Sequence, residues 1–159
     1  MSGIRSILFV CKANLCRSPS AEAVMRAMLA SRGWGASVEI DSAGTHEFRP
    51  GAQPHAAAME AAAKRGYDLS ACAARQVKAS DFDHYDMILA MDKSNVEDLR
   101  RLAPTRCKQK IELLLDYGDQ FYGEEVPDPI GGDAKAFQRV LEMIEDGCGG
   151  LVQLLVRAA

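Results

Sequence analysis

Two cysteines and an arginine lie close together near the start of the chain, in the stretch VCKANLCRSP at 10–19. A thiolate at Cys11 can attack phosphorus, and the planar guanidinium of Arg17 can bind two phosphoryl oxygens at once. The spacing Cys-x5-Arg-Ser therefore predicts nucleophilic catalysis on a phosphate ester. The alternative interpretation is two core cysteines beside a surface arginine.

Other uses of these thiols have less support. Four residues separate Cys11 from Cys16, which is not the usual spacing of zinc ligands, and no second ligand pair follows. His46, His55 and His84 lie near no cysteine in the sequence, so a Cys–His protease has no local support. We therefore expect no metal ion at this site.

The residues around this stretch predict a strand that leads through a loop into a helix. Apolar residues at 7–10 form the strand, and apolar residues recur with helical spacing over 21–29. Ser18 is the expected N-cap and Pro19 the expected first residue of the helix. The free amide hydrogens of such a loop and helix start make a cradle for a phosphate-like anion.

Strands and helices alternate along the rest of the chain. Further strands are predicted at 38–42, 86–91 and 111–115, and helices at 55–65, 92–102 and 137–155, the last weakened by glycines at 147–150. This pattern predicts an α/β fold with one domain over 1–159, in which a four-stranded parallel sheet carries helices on both faces. Ligands bind at the carboxyl ends of strands in such sheets, which is where Cys11 would lie.

The composition narrows the possible partners and the compartment. Nineteen basic and 22 acidic residues give a net charge of −3, so we expect neither nucleic acid nor an anionic membrane as partner. The apolar run before Cys11 is too short for a signal peptide or a membrane span. Five irregularly spaced cysteines do not form a secreted disulfide framework. We expect a cytoplasmic monomer with free thiols.

A carboxylate is needed to complete the predicted chemistry. The departing oxygen of a phosphate ester requires a proton, and the water of the second step requires a base. Asp128 is the candidate, because Pro127 and Pro129 on either side would hold it on a stiff loop. The alternative is a solvated turn before a helix that begins near Asp133.

Four stretches together resemble one family over nearly the whole chain. VCKANLCRSP, DSAGT, AMDKSN and VPDPIGGD occur in the order and spacing of the low-molecular-weight protein tyrosine phosphatases. The resemblance implies a four-stranded parallel sheet with flanking helices and a two-step mechanism that uses no metal or cofactor. It also implies that Cys11 is the nucleophile that becomes phosphocysteine, that Arg17 binds the phosphoryl group, and that Asp128 is first the general acid and then the base.

The resemblance assigns supporting roles to other residues of the site. Ser18 looks like the hydroxyl that supports the thiolate, and Asn14 like the residue that holds the unusual backbone of the loop. Cys16 matches a second cysteine that forms a reversible disulfide with the nucleophile in many relatives. Ser42 is expected to bond Asn14. The supporting network should be smaller here, because Cys72 replaces a histidine found in some relatives.

Several positions depart from the pattern of the family. Lys12 and Ala13 stand where relatives usually have a hydrophobic residue and a glycine, and Lys12 is a candidate for favouring acidic phosphopeptides. Ile130 replaces the first of two aromatic residues that many relatives carry after the Asp-Pro pair. Phe48 matches the other aromatic position at the rim, so part of an apolar wall is retained.

Because of these departures, the sequence is compatible with more than one substrate. Leu15 occupies a position where protein arginine phosphatases typically have threonine, and it should obstruct a guanidinium-linked phosphate while tolerating a phenol. We therefore predict phosphotyrosine-containing proteins as substrates. Protein arginine phosphatase activity is the alternative, and arsenate reduction is a weaker one, because Cys72 has no second relay cysteine nearby. A phosphate-dependent binding module without turnover is the non-enzymatic alternative.

Overall fold

Four parallel strands form one sheet in the computed structural model, which describes residues 3–158, and the strand order is β2-β1-β3-β4. The strands are β1 (Ser6–Cys11), β2 (Glu39–Gly44), β3 (Met87–Ala90) and β4 (Ile111–Leu113). The helices are α1 (Arg17–Ser31), α2 (Ala56–Lys64), α3 (Ala79–His84), α4 (Lys93–Leu102) and α5 (Ala134–Ala158). The predicted α/β architecture is confirmed.

The central strand β1 is buried along its whole length, because it pairs with β2 on one side and β3 on the other. Cys11 is its last residue and lies opposite Gly44. The chain leaves β1 towards β2 on one side and leaves β3 towards β4 on the other side, so the loops after β1 and β3 diverge. A crevice opens at such a point beyond the carboxyl ends of the strands.

Alternate side chains of β1 point to opposite faces of the sheet and belong to two apolar cores. Ile7 and Phe9 pack on the face that α1, α2 and α5 cover. Leu8 and Val10 pack on the other face, with Phe82 of α3 and with residues of α4 and β4. Helices therefore cover both faces, as the sequence predicted.

The predicted weak region of the last helix is wrong, because α5 runs without a break through its three glycines. Two of them serve close packing. A β-carbon on Gly147 would lie 2.7 Å from Cγ of Leu114, and one on Gly150 would collide with the carbonyl oxygen of Tyr117. The sequence also gave no sign of α3 or of the 3₁₀ turns at Thr105–Lys110 and Leu114–Tyr117. Within residues 3–158, no helix has the length and apolar character to cross a membrane.

The contrast between two glycines of α5 gives a test of this packing. Gly150→Ala should lower the free energy of unfolding by about 3 kcal/mol, because the new methyl group collides with backbone that cannot move aside cheaply. Gly149→Ala should leave stability unchanged or raise it by up to about 1 kcal/mol, because nothing lies within 4 Å of the new β-carbon and alanine favours the helix. Urea unfolding of both variants measures this difference. Equal effects on the two would show that α5 does not pack as described.

Candidate active site

The loop at 12–16, called here the cysteine loop, is held in shape by Asn14. Its φ of 57° is the one positive value outside glycine in residues 3–158, and asparagine tolerates this conformation better than most residues. Its Nδ2 donates to the hydroxyl oxygens of Ser18 at 2.8 Å and Ser42 at 3.0 Å. Its Oδ1 accepts the backbone N–H of Arg75 at 3.0 Å. The side chain is therefore anchored to three separate segments of the chain.

The bond from Asn14 also limits where the hydroxyl hydrogen of Ser18 can point. The Oγ of Ser18 lies 3.1 Å from Sγ of Cys11 and 3.3 Å from the carbonyl oxygen of Ala43. Because this Oγ accepts a hydrogen bond from Asn14, its single hydrogen is available to the sulfur or to that carbonyl. Donation to the sulfur stabilises the thiolate form of Cys11.

The prediction that Ser18 caps the helix is wrong. α1 begins at Arg17, so Cys16 takes the N-cap position, where no side chain accepts a hydrogen bond. Pro19 is the third residue of the helix rather than the first. A proline is tolerated there, because the first four amides of a helix have no partner within the helix. The hydroxyl of Ser18 contacts the sulfur and not the backbone of the helix.

Arg17 is fixed on one edge and open on the other. Its side chain is 4% exposed, and its Nη1 donates to Oδ2 of Asp92 at 2.7 Å and to the carbonyl oxygen of Val126 at 3.1 Å. Its Nε and Nη2 have no acceptor among the described residues, and the side chain lines the cavity above Cys11. Burial opposes the positive charge, but negative charge at Cys11 and the bond to Asp92 outweigh it and raise the pKa of Arg17. The open edge can bind an anion.

Asp92 owes its position to the start of α4. As N-cap, it accepts the backbone N–H of Asn95 at 2.8 Å with Oδ1, which leaves Oδ2 for Arg17. The side chain of Asn95 accepts the N–H of Asp92 at 3.2 Å in return. This reciprocal capping is visible in the sequence AMDKSN, but the contact with Arg17 spans 75 positions and gave no signal there.

Asp128 is exposed on a loop that is anchored on both sides. Val126 donates its N–H to the carbonyl of Met91 at 2.8 Å, and the N–H of Gly132 bonds the carbonyl of Pro129 at 2.8 Å. Oδ1 of Asp128 accepts the N–H of Ile130 at 3.1 Å, which restricts the carboxylate. The carboxylate lines the same cavity as Cys11 and Arg17. The exposed aspartate at the start of the last helix is Asp133, whose carboxylate accepts the N–H of Ala136.

The cavity above Cys11 has a volume of about 520 Å³ and brings together most of the predicted site residues. Three predicted residues do not line the cavity: Asn14, Ser18 and Ser42. They form hydrogen bonds with one another beneath the cysteine loop. Five lining residues were not predicted: Arg49, Gln53, Pro54, His55 and Ala56. The predicted residues that line it are Cys11, Lys12, Ala13, Leu15, Cys16, Arg17, Phe48, Asp128 and Ile130.

His55 reaches the cavity only through the fold. Its backbone N–H donates to the carbonyl of Leu15 at 2.7 Å, which joins the start of α2 to the cysteine loop. Its Nδ1 accepts the N–H of Ala57 as N-cap of α2, and its ring stacks on Phe137 at a centroid distance of 6.0 Å. The sequence did not predict His55 as a site residue, because it lies far from any cysteine along the chain.

The two cysteines of the cavity differ in their surroundings. Burial, together with negative charge at Cys11 and Asp128, raises the pKa of Cys16 to about 12. Cys16 is therefore a neutral thiol near pH 7, whereas the sulfur of Cys11 lies 3.1 Å from the hydroxyl oxygen of Ser18. Both are free thiols, and the reversible disulfide between them stays a prediction.

The supporting network is larger than the sequence predicted. Ser42 accepts from Asn14 and donates its own hydrogen to Oε1 of the buried Glu22 at 2.7 Å. Cys72 donates to the same oxygen at 3.8 Å, while Arg26 bonds the other oxygen of the carboxylate. Burial and then the charge of Glu22 raise the pKa of Cys72 to about 12, so it acts as a neutral donor. Glu22 extends the network despite the replaced histidine.

The end of β2 presses directly on the cysteine loop. A β-carbon on Gly44 would lie 2.7 Å from the carbonyl oxygen of Lys12 and 3.0 Å from the carbonyl carbon of Ala13. Ala13 itself does not have a positive φ, which explains why alanine is accommodated there. Gly44 also bonds the backbone of Arg75, whose guanidinium is held by Asp41 and the buried Asp81. Neither Gly44 nor Arg75 was predicted as a site residue.

A buried thiol, an arginine with an open edge and a carboxylate around one cavity, at the switch point of a parallel sheet, define a cysteine-dependent phosphatase. Comparison with known proteins agrees with this class. A sequence model described as low molecular weight phosphotyrosine protein phosphatase matches residues 6–159. The chain belongs to this family.

Individual relatives are similar over almost their whole length. The low molecular weight protein-tyrosine-phosphatase of Streptomyces coelicolor is 44% identical over 152 residues, which cover 92% of this chain and 90% of the relative. The low molecular weight phosphotyrosine protein phosphatase of Homo sapiens is 35% identical over 151 residues, 94% of each chain. A crystal structure of a protein tyrosine phosphatase from Entamoeba histolytica superimposes with a TM-score of 0.93 at 37% identity and covers 97% of this chain and 98% of that one.

The contact between Gly44 and the cysteine loop can be tested by a single methyl group. Gly44→Ala should displace the backbone at Lys12 and lower kcat/KM for p-nitrophenyl phosphate about 100-fold, since misplacement by about 1 Å has effects of this size. Gly35→Ala is the matched control, because its β-carbon would make only ordinary contacts at 3.6 Å. Steady-state kinetics, with thermal unfolding to verify the fold, measure both. Wild-type kinetics in Gly44→Ala would mean that β2 does not shape the loop.

Proposed function

We propose that the chain hydrolyses phosphotyrosine in protein substrates through a phosphocysteine intermediate. The observation that carries this proposal is the shared cavity, in which the sulfur of Cys11, the open edge of Arg17 and the carboxyl group of Asp128 face one volume. Each of the three groups has a separate task in phosphoryl transfer. The names of the relatives support the choice of substrate.

In the first step, the thiolate of Cys11 attacks phosphorus and the bond from phosphorus to the phenolic oxygen breaks. Asp128, protonated at this stage, donates its proton to the departing oxygen. Nε and Nη2 of Arg17 bind phosphoryl oxygens as charge develops on them. Asp92 and the carbonyl of Val126 keep the guanidinium in position through Nη1. The products are a phosphocysteine and the unphosphorylated tyrosine side chain of the substrate protein.

In the second step, the Asp128 carboxylate takes a proton from water, and the resulting hydroxide attacks the phosphocysteine. The bond from sulfur to phosphorus breaks, and inorganic phosphate leaves. Cys11 departs as a thiolate, which the Ser18 hydroxyl stabilises by a hydrogen bond. Asp128 ends the cycle protonated and ready for the next substrate. The chemistry uses only side chains of this chain, so we expect no metal or cofactor.

The shape of the cavity favours an aromatic phosphate ester. Cys11 is buried at its base, so the phosphate must be carried on a long side chain. Leu15, Phe48 and Ile130 supply apolar surface to the wall, and Phe48 and Ile130 are exposed large apolar side chains. A phenyl ring gains by contact with this surface, whereas the short chain of phosphoserine does not reach it.

Three further properties belong to the proposal and rest on the sequence. These are one catalytic domain over 1–159, a monomeric state and a cytoplasmic location. The partners we propose are phosphotyrosine-containing proteins, without nucleic acid or membrane. Oxidation of Cys11 and Cys16 to a disulfide would reversibly block the nucleophile.

Peptides of one sequence that carry phosphotyrosine, phosphoserine or phosphoarginine test the function. We expect kcat/KM for phosphotyrosine to exceed that for each of the others at least about tenfold, because the apolar wall contacts only the aromatic ring. Cys11→Ser should abolish turnover and retain peptide binding. Asp128→Asn should slow hydrolysis about 100-fold or more, since it removes the general acid and base.

Asp133→Asn is the matched control for the Asp128 substitution. Asp133 lies five positions further along and accepts a helix amide, a role that asparagine fills equally well, so its kinetics should equal those of the wild type. Phosphoarginine hydrolysed as fast as phosphotyrosine would contradict the substrate assignment. Peptide binding without any turnover by the wild type would favour the binding module.

A further inference from the structure

Two unpaired cationic side chains lie at the mouth of the cavity. Lys12 follows the nucleophile, Arg49 follows Phe48, and both are exposed and line the cavity. Within residues 3–158, neither forms an ion pair with a carboxylate, whereas Arg26, Arg65 and other arginines do. The chain as a whole has a net charge of −3, so the charge at this rim is opposite to that of the molecule.

Lys12 is held at the rim by two contacts with the neighbouring segment. Its backbone carbonyl accepts the N–H of His46 at 3.0 Å, which joins the cysteine loop to the segment after β2. Its Nζ lies 5.9 Å from the centroid of the Phe48 ring, within the range of a cation–π contact. Phe48 is 56% exposed, so the ammonium group and the ring form part of the surface that a bound peptide would meet.

The remaining charges of the cavity leave these two cations free for a ligand. The phosphate of the substrate is the partner of Arg17 at the base, and Asp128 is the one carboxylate among the lining residues described. Asp128 is restricted by the N–H of Ile130, and among the ion pairs of the described residues it has none with Lys12 or Arg49. Negative charge that enters the mouth beside the phosphate therefore meets positive charge on the segments that carry Lys12 and Arg49.

We propose that Lys12 and Arg49 form a subsite for a carboxylate side chain next to the phosphotyrosine, so that the preferred substrates are acidic phosphopeptides. This proposal rests on the proposed function and specifies the substrate of the same site. Exposed ion pairs are individually weak and are screened by salt. The effect should therefore be a moderate selectivity at low ionic strength rather than a requirement.

Two phosphotyrosine peptides that differ only in glutamate or glutamine on both sides of the tyrosine test the subsite. The measured quantity is the ratio of their kcat/KM values. For the wild type at low salt, we expect a ratio of about 2 to 10 in favour of the glutamate peptide, from two exposed ion pairs. The ratio should fall towards one at about 1 M salt, where the screening length is about 3 Å.

Variants assign the selectivity to the two side chains. Lys12→Gln and Arg49→Gln should each reduce the ratio at low salt, and the double variant should bring it close to one. Arg49→Lys keeps the charge and should retain most of the ratio. Lys108→Gln changes the net charge equally, but it lies in the turn before β4 at the opposite end of the sheet, so its ratio should equal that of the wild type.

The outcomes separate the subsite from the function on which it rests. A wild-type ratio of one with both peptides hydrolysed would overturn the subsite and leave the phosphatase proposal standing. An unchanged ratio in the double variant, or an equal loss in Lys108→Gln, would also overturn it, because the selectivity would then come from the overall charge. Failure to hydrolyse either peptide would overturn both proposals.

Discussion

The carboxamide of Asn14 joins three parts of the molecule, and the geometry of the site depends on this junction. Through two donors and one acceptor it connects the start of α1, the end of β2 and the backbone at Arg75. Its left-handed backbone turns the cysteine loop so that the loop can return to the helix within five residues. With every polar group of the side chain bonded, the loop has its binding shape before any anion arrives, which avoids reorganisation during catalysis.

The same arrangement connects the groups that would act on the phosphate. The bond from Asn14 directs the hydroxyl of Ser18 towards Cys11 or Ala43, and Ser42 carries the network back to Glu22. On the other side of β1, Arg17 contacts Asp92 and the carbonyl of Val126, two residues before Asp128. The nucleophile, the phosphate-binding arginine and the loop of the acid therefore share one framework at the crevice between β1 and β3. A displacement of any member affects the others.

Local patterns in the sequence were sufficient for much of this structure. The apolar run before Cys11 predicted the central strand, and the prolines around Asp128 predicted the stiff loop that carries this residue. The predictions that were wrong concern features that depend on contacts between distant segments. Ser18 has the residue type of an N-cap, but tertiary structure places its hydroxyl against the sulfur.

Contacts across the fold also explain the residues that the sequence did not single out. The glycines of α5 resemble helix breakers until the backbone of Tyr117 is seen packed against them. Gly44, Asp92 and Arg75 contact the cysteine loop or Arg17 across 30 to 75 positions of sequence, so no local pattern shows what they support.

If phosphate passes through the sulfur of Cys11, a phosphocysteine forms during turnover and can be trapped. Wild-type protein mixed with a phosphotyrosine peptide and quenched with acid during turnover can be digested and analysed by mass spectrometry. We expect phosphate on the peptide that contains Cys11, attached to that sulfur and absent from Cys16, whose thiol stays protonated. Turnover without phosphorylated Cys11, or phosphate on another residue, would contradict it.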